Sequence, residues 1–325
     1  MNRCWLVLLA LLAGQAAAWT PPGVSARIWQ GSVPPTNPVT PEKVALGRRL
    51  FTDRRLSGPG KISCVSCHDP RRALSQGKLR LRRHDGPLLR RAPSLYNAMF
   101  LPGLMWDGRA PSLEAQARIP IYNKDEMAMP SARELVRRVR ADAGYRTAFL
   151  AAFGGPPTEP RIMQALACFE RTLVSFDSPF DRYMAGQANA LSARARRGWS
   201  LFKGRGRCIV CHYWSPVAPL FTDFHYHNLG VWDGDMGRFL ISHRMKDRGA
   251  FRTPTLYNVA LDGPYLHNGS IGTLRDVLLL HAYAASPDPK LRPLHLTKTE
   301  LRELEAFLRS LTGEGARHLS GLTQH

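Results

Sequence analysis

The stretch Cys64-Val65-Ser66-Cys67-His68 and its second copy, Cys208-Ile209-Val210-Cys211-His212, constrain this chain more than any other feature. Cys-x-x-Cys-His is the attachment pattern of c-type haem: two thiols add to the vinyl groups, and the adjacent histidine ligates the iron from the proximal side. A structural zinc site would need a second Cys-x-x-Cys half-site close by, and a redox pair would sit beside a βαβ pattern. Neither context occurs. The two patterns therefore read as two haem c groups, with His68 and His212 as proximal ligands.

The start of the chain fits that chemistry. Arg3 gives a short positive region, Trp5 to Ala13 an apolar core too short to span a bilayer, and Ala16-Ala17-Ala18 a small-residue cleavage site. Residues 1–18 thus read as a secretory signal, which implies export to the periplasm and no membrane span in the mature chain. Beyond the signal, Cys168 is the one cysteine outside the haem motifs. Between positions 161 and 176, Ile162, Leu166, Phe169, Leu173 and Phe176 recur at helical spacing, so Cys168 reads as a small buried hydrophobe on a helix and no disulfide is expected.

Charge narrows the partners. Lys and Arg number 45 against 25 Asp and Glu, a formal net charge of +20. An exported haem protein has little occasion to meet nucleic acid, so such a surface suits an acidic redox or substrate protein, or a membrane face. Arg71, Arg72, Lys78, Arg80, Arg82, Arg83, Arg90 and Arg91 crowd the stretch after the first motif and suggest docking or propionate binding.

Elsewhere helix signals dominate. Thr40-Pro41-Glu42 opens a helix to about Phe51, Ser131 with Glu134 forms a capping box, Ser192 starts a segment leading to Gly204, and Thr297 with Glu300 caps a final helix whose Leu301, Leu304, Leu308 and Leu311 make one stripe. The expected fold is all-α: two tandem cytochrome-c-like domains, 19–184 and 185–325, each enclosing one haem, with the polar run 185–190 between them.

An internal repeat joins the halves. Arg91-Ala92-Pro93-Ser94-Leu95-Tyr96-Asn97 recurs 161 positions later as Arg252-Thr253-Pro254-Thr255-Leu256-Tyr257-Asn258, and the same offset takes Trp106-Asp107-Gly108 to His267-Asn268-Gly269. The haem motifs are only 144 positions apart, so the second half carries 17 extra residues before its repeat. Among the residues of that stretch, His225, His227 and His243 offer imidazoles that could ligate, but read in the first place as surface or propionate-contacting groups. The offset also pairs Pro120 with His281. Proline cannot ligate iron and imidazole can. The second haem is therefore expected to be closed by His212 and His281, with Tyr283 as the competing ligand, and the first to be open at Pro120.

From about Ala45 to Gly313 the chain resembles the bacterial di-haem cytochrome c peroxidase and MauG superfamily. The resemblance rests on Leu46-Gly47-Arg48-Arg49-Leu50-Phe51, both haem motifs, Ala92-Pro93-Ser94-Leu95, Trp106-Asp107-Gly108-Arg109-Ala110, Asp125-Glu126-Met127, Phe169-Glu170-Arg171-Thr172-Leu173 and Pro264-Tyr265-Leu266-His267-Asn268-Gly269. It implies that hydrogen peroxide reacts at the N-terminal haem. It also implies that Gln116 and Glu126 form the distal polar pair, with Glu126 as acid-base residue, and that Trp106 relays electrons between the haems. His84 matches a loop histidine that ligates the peroxidatic haem at rest in part of the family.

Two positions depart from the family pattern. Where cytochrome c peroxidases place a methionine on the second haem, this chain has His281, which lowers the expected potential and points toward the MauG-like branch, whose members oxidise residues of a partner protein. Arg91 stands where the family has an asparagine of a calcium site, which puts calcium in doubt. The leading expectation is MauG-like protein oxidation. The alternatives are a cytochrome c peroxidase that detoxifies peroxide, and a non-catalytic di-haem electron carrier.

Overall fold

The computed structural model describes residues 24–76, 90–217, 219–283, 285–317 and 322. The expected signal at 1–18 and the loop histidine His84 lie outside the described residues. In chain order the helices are α1 (Ala26–Ser32), α2 (Pro41–Thr52), α3 (Cys64–Cys67), α4 (Leu113–Tyr122), α5 (Ala132–Ala141), α6 (Ala143–Phe153), α7 (Glu159–Arg171), α8 (Pro179–Met184), α9 (Ala193–Lys203), α10 (Phe239–Ser242), α11 (Leu274–Tyr283), α12 (Lys298–Arg309) and α13 (Glu314–Arg317), linked in part by 3-10 turns. Sheet among the described residues is confined to two antiparallel two-residue pairs: β1 (His68–Asp69) with β2 (Ser75–Gln76), and β3 (Tyr226–His227) with β4 (Phe251–Arg252). The chain is mostly helical, as its cap signals predict.

Those signals act as local chemistry requires. Thr40 Oγ1 accepts from the Lys43 N–H at the start of α2, and Ser192 Oγ from that of Ala195 at the start of α9. Thr297 and Glu300 close a reciprocal box on α12. The box expected on α5 is half made: Ser131 Oγ accepts from the Glu134 N–H, but the Glu134 carboxylate turns to Arg137 and Arg138 instead, where two cations outcompete one amide. The helix expected to continue to 176 ends at Arg171. Buried Asn97 captures the exiting backbone: its N–H donates to Leu173 O, its side-chain amide donates to Ser175 O, and its Oδ1 accepts from Ser175 N. Leu173 and Phe176 keep the helical spacing but pack from a loop.

The two halves use the same helix pairing. α2 crosses α7 at Gly47, where a β-carbon would come within 2.0 Å of Ala165 O; α9 crosses α12 at Gly198, where one would come within 2.0 Å of Glu303 O. Only glycine permits backbones to approach this closely. Asn97 and Asn258 are equivalent too, both left-handed with φ of 61°, and Asn258 clamps the exit of α12 through Leu311 O and the Gly313 N–H as Asn97 clamps that of α7.

One apolar cluster gathers Leu46, Leu50, Phe51, Leu135, Tyr145, Phe149, Ile162, Leu166 and Phe169; a second gathers Phe180, Trp199, Phe202, Phe221, Tyr257, Leu304 and Phe307. α8 already belongs to the second through Phe180, ahead of the 185–190 run, while Ala316 and Leu322 return to the first.

The repeated stretches meet each other across a reciprocal wall. The Arg91 N–H donates to His267 O at 2.7 Å, and the Arg252 N–H donates to Trp106 O at 2.8 Å. Met105 and Leu266 hold matched left-handed conformations, and the isolated bridges Leu104 to Ala110 and Tyr265 to Ile271 correspond residue for residue. An internal two-fold relation thus places equivalent residues of the two halves face to face.

Candidate haem sites and the wall between them

Each Cys-x-x-Cys-His segment faces its own cavity. The larger, about 570 Å³, is lined by Cys64, Cys67 and His68 together with Gln116, Pro120, Glu126, Glu170 and Trp106. The smaller, about 190 Å³, is lined by Cys208, Cys211, His212, His227, His281 and Leu308. Trp106, Arg91, Arg252 and His267 line both and form the wall between them.

The three histidines are fixed by main-chain carbonyls, which can only accept. His68 Nδ1 donates to Leu74 O at 2.7 Å, His212 Nδ1 to Phe221 O at 3.0 Å, and His281 Nδ1 to Val277 O at 2.8 Å. Each ring therefore keeps Nε2 as its lone-pair nitrogen, the form that binds iron. Burial depresses all three, His212 to about 4 with the neighbouring His281 adding to the effect, so they are neutral at pH 7. Tyr283 is half exposed, lies outside the smaller cavity's lining and donates its hydroxyl to Leu296 O. Burial also raises the thiols of Cys64, Cys67 and Cys208, Cys67 to about 11, so they are protonated, and none of the described cysteines is in a disulfide.

In the larger cavity, Glu126 accepts from Asn123 Nδ2 at 3.0 Å, and desolvation holds its carboxyl above the usual range. Gln116 and Pro120 stand on α4, Gln116 with its amide against Met105 Sδ. Trp106 is buried, its Nε1 donating to Arg91 O at 2.8 Å and its ring 6.5 Å from that of His267, which stacks on Phe251 at 3.7 Å.

The profile of the di-haem cytochrome c peroxidase family matches residues 41–189. The methylamine utilization protein MauG of Methylorubrum extorquens is 42% identical over 296 residues, 87% of this chain and 82% of its own length. The cytochrome-c peroxidase IdrP1 of Denitromonas iodatirespirans is 36% identical over 86% of this chain and 84% of its own. Among solved structures, a MauG-like protein associated with microbial copper homeostasis superposes with a TM-score of 0.80 at 32% identity, over 96% of this chain and 98% of that one.

This chain belongs to the di-haem cytochrome c peroxidase family. Membership makes it a peroxide-dependent haem oxidoreductase and implies two haem c groups.

The residues fit those groups on their own evidence. Arg252 is buried, pushed down to about 10 by desolvation, and has no carboxylate partner among the described residues, where its guanidinium bonds to Met105 O and Thr253 O. A buried guanidinium needs a counter-charge, and a haem propionate supplies one. The counterpart of Arg252 in the repeat, Arg91, is by contrast satisfied by a bidentate pair with Asp262 at 2.8 and 2.7 Å, a residue 171 positions away. Arg90 is likewise bound, to buried Asp107 and to Asp235, so these two members of the arginine-rich stretch are committed to the wall. Glu170, fully buried with Oε2 unpartnered and raised to about 8 by desolvation, also faces the larger cavity; in the sequence it sits unremarkably between Phe169 and Arg171. His227 is no surface residue: it is clamped between Asp223 (2.8 Å) and Asp288 (2.5 Å) and lines the smaller cavity.

Proposed function

We propose that the chain is a MauG-like periplasmic enzyme of two cytochrome-c-like domains, in which peroxide is reduced in the N-terminal half and the electrons come from an acidic protein partner through the C-terminal half. The observation that carries this reading is the unequal furnishing of the two cavities. Gln116, Glu126 and Pro120 share a cavity with Cys64, Cys67 and His68, whereas the other cavity presents two histidines, His212 and His281.

Haem, when bound, would supply peroxide activation in the first half and one-electron storage in both. The protein's residues do the rest. Gln116 orients peroxide by hydrogen bonding. Glu126, its proton affinity raised by burial, takes the proton from one peroxide oxygen and delivers it to the other, so that the O–O bond breaks heterolytically and water leaves. Two electrons and two protons complete the reduction to two waters. Trp106, in the wall, relays those electrons from the second half, where His212 and His281 would hold the second haem. Arg91, which stands where the family has a calcium-site asparagine, is a cation already paired with Asp262, and we expect no calcium there.

A second reading, a cytochrome c peroxidase that detoxifies peroxide, is favoured by the 36% identity to IdrP1, and rapid steady-state oxidation of small cytochromes would select it. The test of the leading reading is electron paramagnetic resonance of the oxidised holoprotein before and after stoichiometric peroxide. One high-spin and one low-spin ferric signal, both diminished by peroxide, are expected. Two low-spin signals indifferent to peroxide would overturn it in favour of an electron carrier.

A further inference from the structure

The extra residues of the second half do not form a loose loop. Between β3 and β4 the chain closes on itself, Gly249 N–H donating to Met236 O and Arg238 N–H to Ala250 O, with α10 and the 245–247 turn inside the closure. Asn228 Nδ2 ties it further to Arg248 O. Its inner side is fastened to both halves of the wall. Asp235 takes Arg90 in a bidentate pair, Asp233 accepts from His267 and Asn268, and Arg238 donates to Asp107 O. The strap therefore covers the place where Trp106 and His267 meet.

Its outer side has a different character. Trp232 is 54% exposed, Leu240 52% and Met245 68%, with Ile241 also exposed, a concentration of large apolar side chains found on a short stretch of chain. Around them stand Arg244, Lys246 and Arg248, all exposed and none in an ion pair with a described carboxylate. Arg248 lies over the Trp232 ring at 4.8 Å. Of the acidic residues of this stretch, Asp233 and Asp235 are turned inward to His267, Asn268 and Arg90, and Asp247 sits half-buried in the 245–247 turn, leaving three exposed cations against one carboxylate. An exposed apolar cluster rimmed by unpaired charge marks an interaction site, and tryptophan and arginine are the side chains that most often anchor one.

We infer that this face of the strap, centred on Trp232 with Arg244, Lys246 and Arg248 at its rim, is where an acidic electron-donating protein docks. The inference rests on the proposed function, since both readings above need such a donor, and it names the surface that donor uses. Charge complementarity selects the partner: an acidic surface meets Arg244, Lys246 and Arg248, opposed by the single Asp247, on a chain whose formal charge is +20, while a basic one is repelled. Docking there sets the donor over the inter-haem wall, which shortens the route for electrons to Trp106 and His267.

The probe is a reduced acidic monohaem cytochrome c, mixed in stopped flow with holoprotein that has been treated with peroxide; neutral hydroquinone serves as a small donor that needs no docking. Arg244→Glu/Lys246→Glu/Arg248→Glu is expected to slow return to the resting state by the acidic cytochrome at least tenfold at low salt and to flatten its salt dependence. Trp232→Ala should slow it about tenfold at all salt concentrations. Reduction by hydroquinone should stay within twofold in every variant. A control with the same charge change elsewhere, Arg133→Glu/Arg194→Glu/Arg302→Glu, should leave most of the acidic-cytochrome rate intact. Equal loss in the control, no loss in the strap variants, or an equal rate with a basic cytochrome c would overturn the docking surface. If peroxide leaves the unmutated holoprotein unchanged, so that neither donor has anything to reduce, the peroxidase reading itself fails, and the two failures are distinct.

Discussion

The two halves of this molecule share a scaffold and differ at the positions that face the haem cavities. Gly47 and Gly198 set the same helix crossings, Asn97 and Asn258 the same exits, and the Arg91 and Arg252 amides the same reciprocal bonds. Within that frame Pro120 is replaced by His281, Trp106 by His267, Leu101 by Asp262 and, at matched positions on α7 and α12, Glu170 by Leu308. None of these changes alters the backbone pairing. Each alters what a cavity can bind, how much charge it tolerates, or whether its arginine is satisfied. The repeat gives two matched scaffolds around cavities of unequal size, and on the proposed reading the polar differences inside them suit one to reaction and the other to electron transfer.

The largest effect should come from exchanging the distal residues. Pro120→His would give the first cavity the imidazole of the second, and peroxide reactivity should fall to background with both signals low-spin. His281→Gly should do the converse, turning the second signal high-spin and open to cyanide. If Pro120→His left the peroxide rate intact, the iron would be open somewhere other than at Pro120. Next in size is Glu126→Gln, which keeps the bond to Asn123 and removes the transferable proton. The rate of O–O cleavage should drop by about 10²–10⁴, with both haems still attached by their absorption spectra. In the unmutated protein, burial holds Glu126 above the ordinary carboxylate range, so the cleavage rate should rise with pH through that raised value as the base form is populated, and Glu126→Gln should abolish that limb.

What could be read from the sequence follows from how local each requirement is. Haem attachment needs two thiols and an imidazole at fixed spacing, so both sites were visible at once, and helix caps need one side chain three residues from an amide, so α2, α9 and α12 start where expected. The repeat made the Pro120 and His281 contrast legible without a structure. The wall was not legible, because Arg91 finds Asp262 across 171 positions and Arg252 finds no carboxylate among the described residues, which only burial reveals. The overlong α7 came from trusting apolar spacing past the point where Asn97 takes over the backbone. The sequence leaves His227 between a surface and a propionate-contacting role because nothing nearby in it announces Asp288.

The matched arginines give a finer comparison. Arg91→Gln leaves the largely buried Asp262 without its partner and should cost about 3–5 kcal/mol of stability in urea unfolding. Arg252→Gln removes a cation that no described carboxylate balances. It should cost less stability, and instead lower the reduction potential of the adjacent haem, because a nearby positive charge favours the reduced state. Equal stability losses for the two, with potentials unmoved, would mean that Arg252 has no propionate partner.

The smallest and most specific test concerns Glu170, whose counterpart is Leu308. Desolvation raises its carboxyl from about 4.5 to about 8, so the fold favours the protonated form. A raised acid contributes its stability fully below its unfolded pKa and loses it as pH climbs toward the folded value. Stability should therefore decline from about pH 4.5 to 8 with a slope approaching roughly 1.4 kcal/mol per pH unit from this group alone. Glu170→Leu gives the first half the residue of the second and should remove that slope, leaving the variant more stable than the parent at pH 8 and close to it at pH 5. Urea midpoints of the holoprotein at pH 5, 6.5 and 8 decide the matter. A slope unchanged by Glu170→Leu would mean that Oε2 has a partner in the haem-bound molecule that keeps the carboxylate charged. The asymmetry at this position would then serve binding in the larger cavity and not its proton affinity.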